Sequence, residues 1–432
     1  MLSYYRLNID SILIATIGSA VIGVAISYWD VYLYHIFLSI SIVIFSIKTK
    51  QSIHESGIFK FQIKKIYHPL IVTFFWYSIT IFWAPNLVYA FKYLFYLFCG
   101  FSLIVLITGY STTLDRFKKL FHFLQYLFIV EMIIALLESF TAFKMPISRY
   151  SEIATFFGKT PQPVYQDDII INFFNSSPPT GFHWDTNELS LAMVLIFPFF
   201  LCMEKTLPKS LGIISIIVLV VMSASRAVFF GIISTSFIYL FLIKKKIASL
   251  SLIWLSAISI MFGMLSFNNS DNPNVNEIAN TIKTAYLYLT GDIDVDQSLK
   301  WRRELVSNGI TALKRTGGIG VGAGGSVAIQ EKLGGVDGRF TSMHNFWIEV
   351  LVEGGVIFFL LFISWFLKSV FQLFRISKSN KNKHIVYFSS SLFLSMIGFI
   401  PSAITSSSTV YFFPMWIMLG LVQSIIFLDN SK

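Results

Sequence analysis

The feature that most constrains this chain is a series of apolar runs, each close to the length that crosses a bilayer. A helix needs about 20 apolar residues to span the hydrocarbon. Twelve such runs are read: 10–27, 31–47, 69–84, 88–110, 120–140, 188–203, 210–224, 226–243, 247–266, 345–367, 385–403 and 409–428. They are continuous rather than alternating, which predicts helices and not barrel strands. Only 13% of the 432 residues are charged, against about 25% in a soluble domain. The sequence predicts an all-α polytopic membrane protein, one integral domain over 1–432 with about 12 transmembrane helices. No small-residue cleavage site follows the first run, so that span is expected to be retained.

The net charge of +10 does not form a nucleic-acid patch; it is distributed among connections. Lys48, Lys50, Lys60, Lys64 and Lys65 fall in one loop, and Arg116, Lys118 and Lys119 in another. Lys205 and Lys209, then Lys244 to Lys246, then Lys368, Arg375, Lys378, Lys381 and Lys383 occupy three more. With twelve spans all five lie on one side, which the positive-inside rule makes cytoplasmic. Both termini are then cytoplasmic. Two long connections face outward, 141–187 and 267–344, and loops that long usually carry structure or function. Within the second, Val275 to Leu289 and Ser298 to Arg315 have apolar residues at helical spacing, predicting two short amphipathic helices over the outer mouth of the bundle. Cys99 and Cys202 lie in apolar runs with neither metal-type spacing nor a disulfide expected.

Ionisable groups at membrane depth mark candidate chemistry. The richest cluster is His344-Asn345 with Glu349 and Glu353, where the second long loop meets an apolar run. Asn345, Glu349 and Glu353 recur every four residues and are predicted to share a helix face. Gly354-Gly355 removes bulk one turn deeper and is expected to permit close helix contact. A histidine beside carboxylates suits a general base; it equally suits a helix cap, with the two glutamates paired to neighbouring spans. Outward cations form a second set: Arg226, Lys92, Arg302 and Arg303 beside Trp301, and Lys314, Arg315 and Arg339. Positive charge there runs against the topology bias, and guanidinium forks bind phosphate oxygens bidentately. Snorkelling is the other account of Lys92, and solvation that of Lys314, Arg315 and Arg339. Third, His183, Trp184, Asp185, Asn187 and Glu188 stand at a span entrance. Helix capping explains the last three, while His183 and Asn187 are weaker sugar-binding candidates, as are Glu349 and Arg339. Glu131, well inside its span, should face the interior and find a partner.

Other motifs fail their context. Gly318 to Gly325 resembles a nucleotide loop, but it follows a helical pattern and faces outward. A flexible or close-packed outer loop accounts for it better. There is no Walker motif and no metal-spaced His/Cys set, and the alternating acids of 292–296 are not read as a metal-binding D-x-D pair, so neither a metal nor another cofactor is expected. Asp292, Asp294 and Asp296 read as a solvated loop.

The run from His344 to Gly355 fits His-Asn-x-x-aliphatic-x-x-Leu-x-Glu-x-Gly. It resembles the O-antigen ligase and Wzy-type polysaccharide polymerase superfamily. Further pieces follow in that family's order: Trp83-Ala84-Pro85-Asn86 before Lys92, Glu138 to Thr141 before Met145-Pro146-Ile147-Ser148, Pro179 to Leu189, and Ser223-Ala224-Ser225-Arg226. Arg302 to Gly309 then leads into the glycine-rich loop. Ala227 replaces the usual glycine after the arginine, Trp184-Asp185 an Asn-Pro-type pair, and Phe358 a further glycine.

The resemblance implies a GT-C-like helical scaffold that carries out metal-independent, inverting glycosyl transfer on the outer face of a bacterial cytoplasmic membrane. It implies undecaprenyl-pyrophosphate-linked glycans as donor and acceptor, with membrane lipids, a flippase and a chain-length regulator as candidate partners. His344, with Asn345 and Glu353, would form the catalytic group. Arg226, Arg302, Arg303 and Lys92 would hold the pyrophosphate. A polymerase joining repeat units of an exopolysaccharide, capsule or teichuronic-acid-like polymer is the leading expectation. An O-antigen ligase acting on lipid A-core is its nearest rival. A flippase would place charge in a central cavity rather than mass in outer loops.

Overall fold

The structure is a computed structural model. It describes residues 9–52, 68–161, 178–223, 225–244, 297–336, 341–404 and 409–430. The expected span 247–266, the amphipathic helix over 275–289, Asp292 to Asp296 and Arg339 lie outside the described residues.

Thirteen α-helices are described: α1 (Ile9–Ile22), α2 (Leu33–Ser52), α3 (His68–Thr80), α4 (Leu87–Tyr110), α5 (Leu114–Phe140), α6 (Thr186–Leu201), α7 (Thr206–Met222), α8 (Arg226–Ile238), α9 (Gln297–Arg315), α10 (Gly325–Lys332), α11 (Phe346–Ser379), α12 (Lys383–Ser402) and α13 (Phe413–Asn430). The described residues are thus overwhelmingly helical, with one two-residue hairpin, β1 (Ser27–Tyr28) against β2 (Val31–Tyr32). Eleven of the twelve apolar runs coincide with described helices, counting α8 together with the π-helical turn Tyr239–Ile243. Six helices are long and apolar enough to cross a membrane, and five shorter ones are apolar. The protein is an all-α multi-pass membrane protein.

Local chemistry sets the helix starts. Asn86, Thr113, Asp185, Asn345 and Asn382 each accept from backbone N–H groups in the first turn, supplying acceptors that a helix start lacks. Packing centres on α12, which meets α6, α8 and α11, while α13 lies along α4. Small residues allow the close approaches: Gly231 on α8 faces Ser402 and Gly398 of α12, and Gly100 faces the Trp416 indole. Buried and half-buried hydroxyls donate to carbonyls of neighbouring helices. Tyr34 bonds Cys99 O at 2.8 Å, Tyr387 bonds Phe199 O at 2.8 Å, and Ser395 bonds Leu195 O at 2.6 Å. In an apolar medium such groups need internal partners.

The helix ends sort into two sets. At one end Arg116 Nη2 meets Asp10 Oδ2 at 3.2 Å, Asn380 donates to Asp429 at 2.6 Å, and Lys378 donates to Leu242 O. At the other end the long connections gather. Ala25 N–H donates to Phe182 O at 3.1 Å, Phe346 N–H to Ala403 O at 3.0 Å, and Tyr89 OH to Glu331 at 2.5 Å. This second end, the loop end, carries the candidate site residues.

Candidate active site

The helix that follows His344 is not continuous. Gly355 interrupts α11 with φ +83° and ψ +170°, a conformation essentially restricted to glycine. The glycine-rich loop threads into the break. Val321 N–H donates to Val352 O at 2.9 Å, Gly322 N–H to Glu353 O at 3.1 Å, and Val356 N–H to Gly318 O at 2.9 Å. Trp76 Nε1 donates to Gly354 O at 2.8 Å and Trp83 Nε1 to Gly320 O at 3.1 Å. A Cβ at Gly320 would fall 2.6 Å from Gly355 N. The close partner that Gly354-Gly355 admits is therefore this loop, not another helix. The loop is close-packed because its glycines let two backbones touch.

The carboxylates follow from that arrangement. Glu349 and Glu353 stand one turn apart on a buried face, as their spacing predicts. Asn345 does not join them: its backbone is extended and its side chain caps α11 by accepting from Ile348 N–H at 3.2 Å. Glu353 Oε1 accepts from Ser326 Oγ at 2.6 Å and Ser326 N–H at 3.3 Å. It thereby ties the first turn of α10 to α11. A carboxylate at a helix N-terminus answers both the open N–H groups and the helix dipole.

His344 sits at the junction, half-buried, with φ +46°. Left-handed backbone is uncommon for a residue with a side chain, though histidine is among those that tolerate it best. Its neighbours fix it there. Met343 is buried beside Val321 and Val352, Asn345 caps α11, and Phe346 N–H is bonded to the end of α12. Trp347 Nε1 donates to Ile400 O at 2.8 Å.

The candidate phosphate-binding arginines lie on two helices, α8 and α9. α9 packs on α10 and α11, with Gly309 against Met343 and Val352, and Gln330 Nε2 donating to Leu305 O at 2.8 Å. It carries Arg302, half-buried, and Arg303, exposed. Arg226 is the exposed first residue of α8. Because Gly231 of α8 meets Ser402 and Gly398, and Ala403 accepts from Phe346, Arg226 and His344 emerge at the same end of the bundle. Among the described residues, no three His, Cys, Asp or Glu side chains gather so as to hold a metal ion.

The third motif belongs to a different place. Residues 178–185 dip into the bundle. Glu138 accepts from Thr180 N–H at 2.9 Å, Gly181 N–H at 2.7 Å and Met145 N–H at 2.9 Å. Glu131 finds its interior partner here: it accepts from Phe182 N–H at 3.3 Å and lies 3.1 Å from His183 Nε2. Burial disfavours the charged imidazole, but the Glu131 carboxylate outweighs that and raises the His183 pKa above its ordinary value. Asp185 caps α6, accepting from Asn187 N–H at 2.7 Å, and pairs with Arg149.

His183 also lines a cavity of about 480 Å³ between the β1–β2 hairpin, the loop after α5 and the start of α13. Asp30, Lys159 and Glu188 face it. Lys92 reaches it through Asp30, at 2.8 Å. Burial pushes the Asp30 carboxyl up, yet the hydrogen bond and charge of Lys92, with Lys159, hold it below its ordinary value. Sequence reasoning missed Trp29, Asp30 and Lys159. The available signal was a further outward cation at Lys159, against the topology bias.

Residues 211–363 match the sequence profile of the O-antigen ligase family, Wzy_C. The chain is also 23% identical over 252 residues to the teichuronic acid biosynthesis protein TuaE of Bacillus subtilis (strain 168). That alignment covers 56% of this chain and 51% of TuaE, so the chain spans about half the length of the curated relative it matches.

Proposed function

We propose a function for a chain whose sequence places it in the O-antigen ligase/Wzy-type superfamily, as a membrane protein of polysaccharide biosynthesis: it is a polymerase that joins lipid-linked oligosaccharide repeat units. The single observation behind this reading is that His344, held in left-handed backbone at the mouth of α11, emerges at the same end of the bundle as Arg226 of α8, with the arginine-bearing α9 packed against α11. That end faces outward, away from the lysine-rich connections.

In the proposed reaction the His344 imidazole takes the proton of an acceptor sugar hydroxyl as its oxygen attacks the donor's anomeric carbon. The bond from that carbon to the diphosphate oxygen breaks, the anomeric centre inverts, and undecaprenyl diphosphate leaves. Arg226, Arg302 and Arg303 meet the charge that develops on the diphosphate, a task otherwise given to metal ions. Lys92 lies at the same end, but it is paired with Asp30 at 2.8 Å beside the hairpin cavity. Glu353 acts as a positioning residue: through Ser326 it holds the loop beside which His344 stands. Hydroxyls are poor nucleophiles, and a base close by contributes about 10²–10⁴ in rate.

The test is to delete the gene, complement with His344→Ala, and analyse lipid-linked intermediates. Single repeat units are expected to accumulate while the variant still inserts in the membrane. Polymer of normal length would remove His344 from any essential role. The matching profile, named for O-antigen ligase, favours a second reading, transfer of finished polymer to an acceptor. In that case finished polymer would accumulate on its lipid carrier instead.

A further inference from the structure

The cavity beside Asp30 shares no lining residue with the His344 motif and carries charged groups of its own. Asp30 accepts from Lys92 at 2.8 Å and stands 3.8 Å from Lys159 Nζ. Two ammonium groups thus meet at Asp30, and Glu188 adds a second carboxylate to the cavity wall. Lys159 is the less well served. Its side chain is 17% exposed, and its ammonium stands 5.8 Å from the centre of the Tyr32 ring. Among the described residues nothing hydrogen-bonds its ammonium at normal length. Burial pushes its pKa down, and Asp30 only partly restores it. A half-buried ammonium whose one carboxylate oxygen stands 3.8 Å away is poorly served, and an incoming oxyanion would supply closer acceptors.

The walls specify more than charge. Trp29, Tyr32, Trp184 and Tyr411 line the space, and flat aromatic faces suit the C–H face of a sugar ring. The volume of about 480 Å³ falls in the range of small-molecule sites, about 300–1,000 Å³. Trp29 is held at φ +53°, an outlier for a bulky residue. Its N–H donates to Phe157 O at 2.9 Å, and its indole lies so close to Gly158 that a Cβ there would fall 2.6 Å from Nε1. Backbone of this kind persists only where the surroundings over-determine it, and it clusters at ligand clamps.

We propose that this cavity binds a carboxylate-bearing sugar of the glycan, a uronic acid residue, with Lys159 and Lys92 receiving the carboxylate and Trp29 and Trp184 the ring. The proposal deepens the glycosyl-transfer reading by naming a class of sugar, and rests on it for the presence of a glycan. The carrier diphosphate offers the same oxyanion chemistry. The aromatic walls favour the sugar.

The experiment uses full-length protein in lipid nanodiscs and saturation-transfer NMR with three probes: trigalacturonate, the neutral trisaccharide maltotriose, and inorganic pyrophosphate. Trigalacturonate should bind wild type and His344→Ala alike. It should weaken about tenfold in Lys159→Gln, the effect of one charge-assisted contact, and persist in Lys159→Arg, which keeps the charge. Maltotriose should not displace it. Equal binding by Lys159→Gln, or displacement by maltotriose, would overturn the proposal. So would displacement by equimolar pyrophosphate together with loss in Arg226→Gln, which would assign the site to the lipid carrier. Normal elongation in His344→Ala would refute the transfer reading and leave these binding results unchanged.

Discussion

Gly355→Ala is the substitution that tests how the site is held. At φ +83° and ψ +170° an L residue costs about 1–3 kcal/mol in backbone energy alone. The new Cβ would also point into the loop, within 2.7 Å of Gly318 O and closer still to Ile319. Backbone cannot swing aside as a side-chain tip does, so the loop must move. Moving it puts at risk three hydrogen bonds, from Val321, Gly322 and Val356, each worth about 0.5–1.5 kcal/mol. Together these give roughly 3–7 kcal/mol, a large share of a domain's stability. Gly317→Ala is the control: φ is +63° but no atom lies within 4 Å of the new Cβ, leaving only the backbone cost. Chemical unfolding in detergent should separate the two variants by at least about 1.5 kcal/mol, the low end for three hydrogen bonds. Trypsin should cut Gly355→Ala faster after Lys314, Arg315 and Lys332, which flank the displaced segment. Equal stability and equal cleavage of the two variants would show that the break in α11 does not clamp the loop.

Two further outcomes follow from the charges. Arg226→Lys should lower elongation at least about tenfold, because an ammonium lacks the planar fork that grips two phosphate oxygens; full activity would leave Arg226 a packing or topology residue. His183, whose pKa is raised above 6.5 mainly by Glu131 against the opposing effect of burial, contributes stability that is complete below pH 6.5 and is lost as pH rises through its higher folded value. Thermal stability should therefore fall as pH rises above 6.5, and His183→Gln should flatten that profile; an unchanged slope in the variant would assign the dependence elsewhere.

Much of the frame was legible because apolar length is a one-dimensional property. The runs at 88–110, 120–140 and 385–403 became α4, α5 and α12 with modest boundary shifts. Asp185 was legible as a cap, since its short acidic side chain precedes a helical pattern. The hairpin cavity was not. Trp29 and Asp30 occupy a short turn, and Lys159 lies more than a hundred residues away; nothing in periodicity joins them. What unites them is the bond from Trp29 to Phe157 and the indole resting on Gly158, contacts that exist only after the chain folds. α10 was missed for a related reason: its eight residues follow a glycine run, and its N-terminus is secured by Glu353, on another helix.

Glu353 shows where reading by spacing stops. A four-residue interval fixes the face a carboxylate occupies but not what covers that face. Glu349 and Glu353 are spaced as a pair lining a reaction chamber would be, and both are buried. Yet Oε1 of Glu353 is engaged by Ser326, and its own carbonyl is taken by Gly322. An acceptor already holding a loop is poorly placed to take a substrate proton as well. Loss of activity on changing Glu353 would therefore not identify it as the base, because the same change releases the loop packed beside Met343, the residue before His344. The sequence motif joins histidine and glutamate as though they shared one task. The backbone between them divides it: one end presents an imidazole at the helix mouth, and the other anchors the structure that keeps it there.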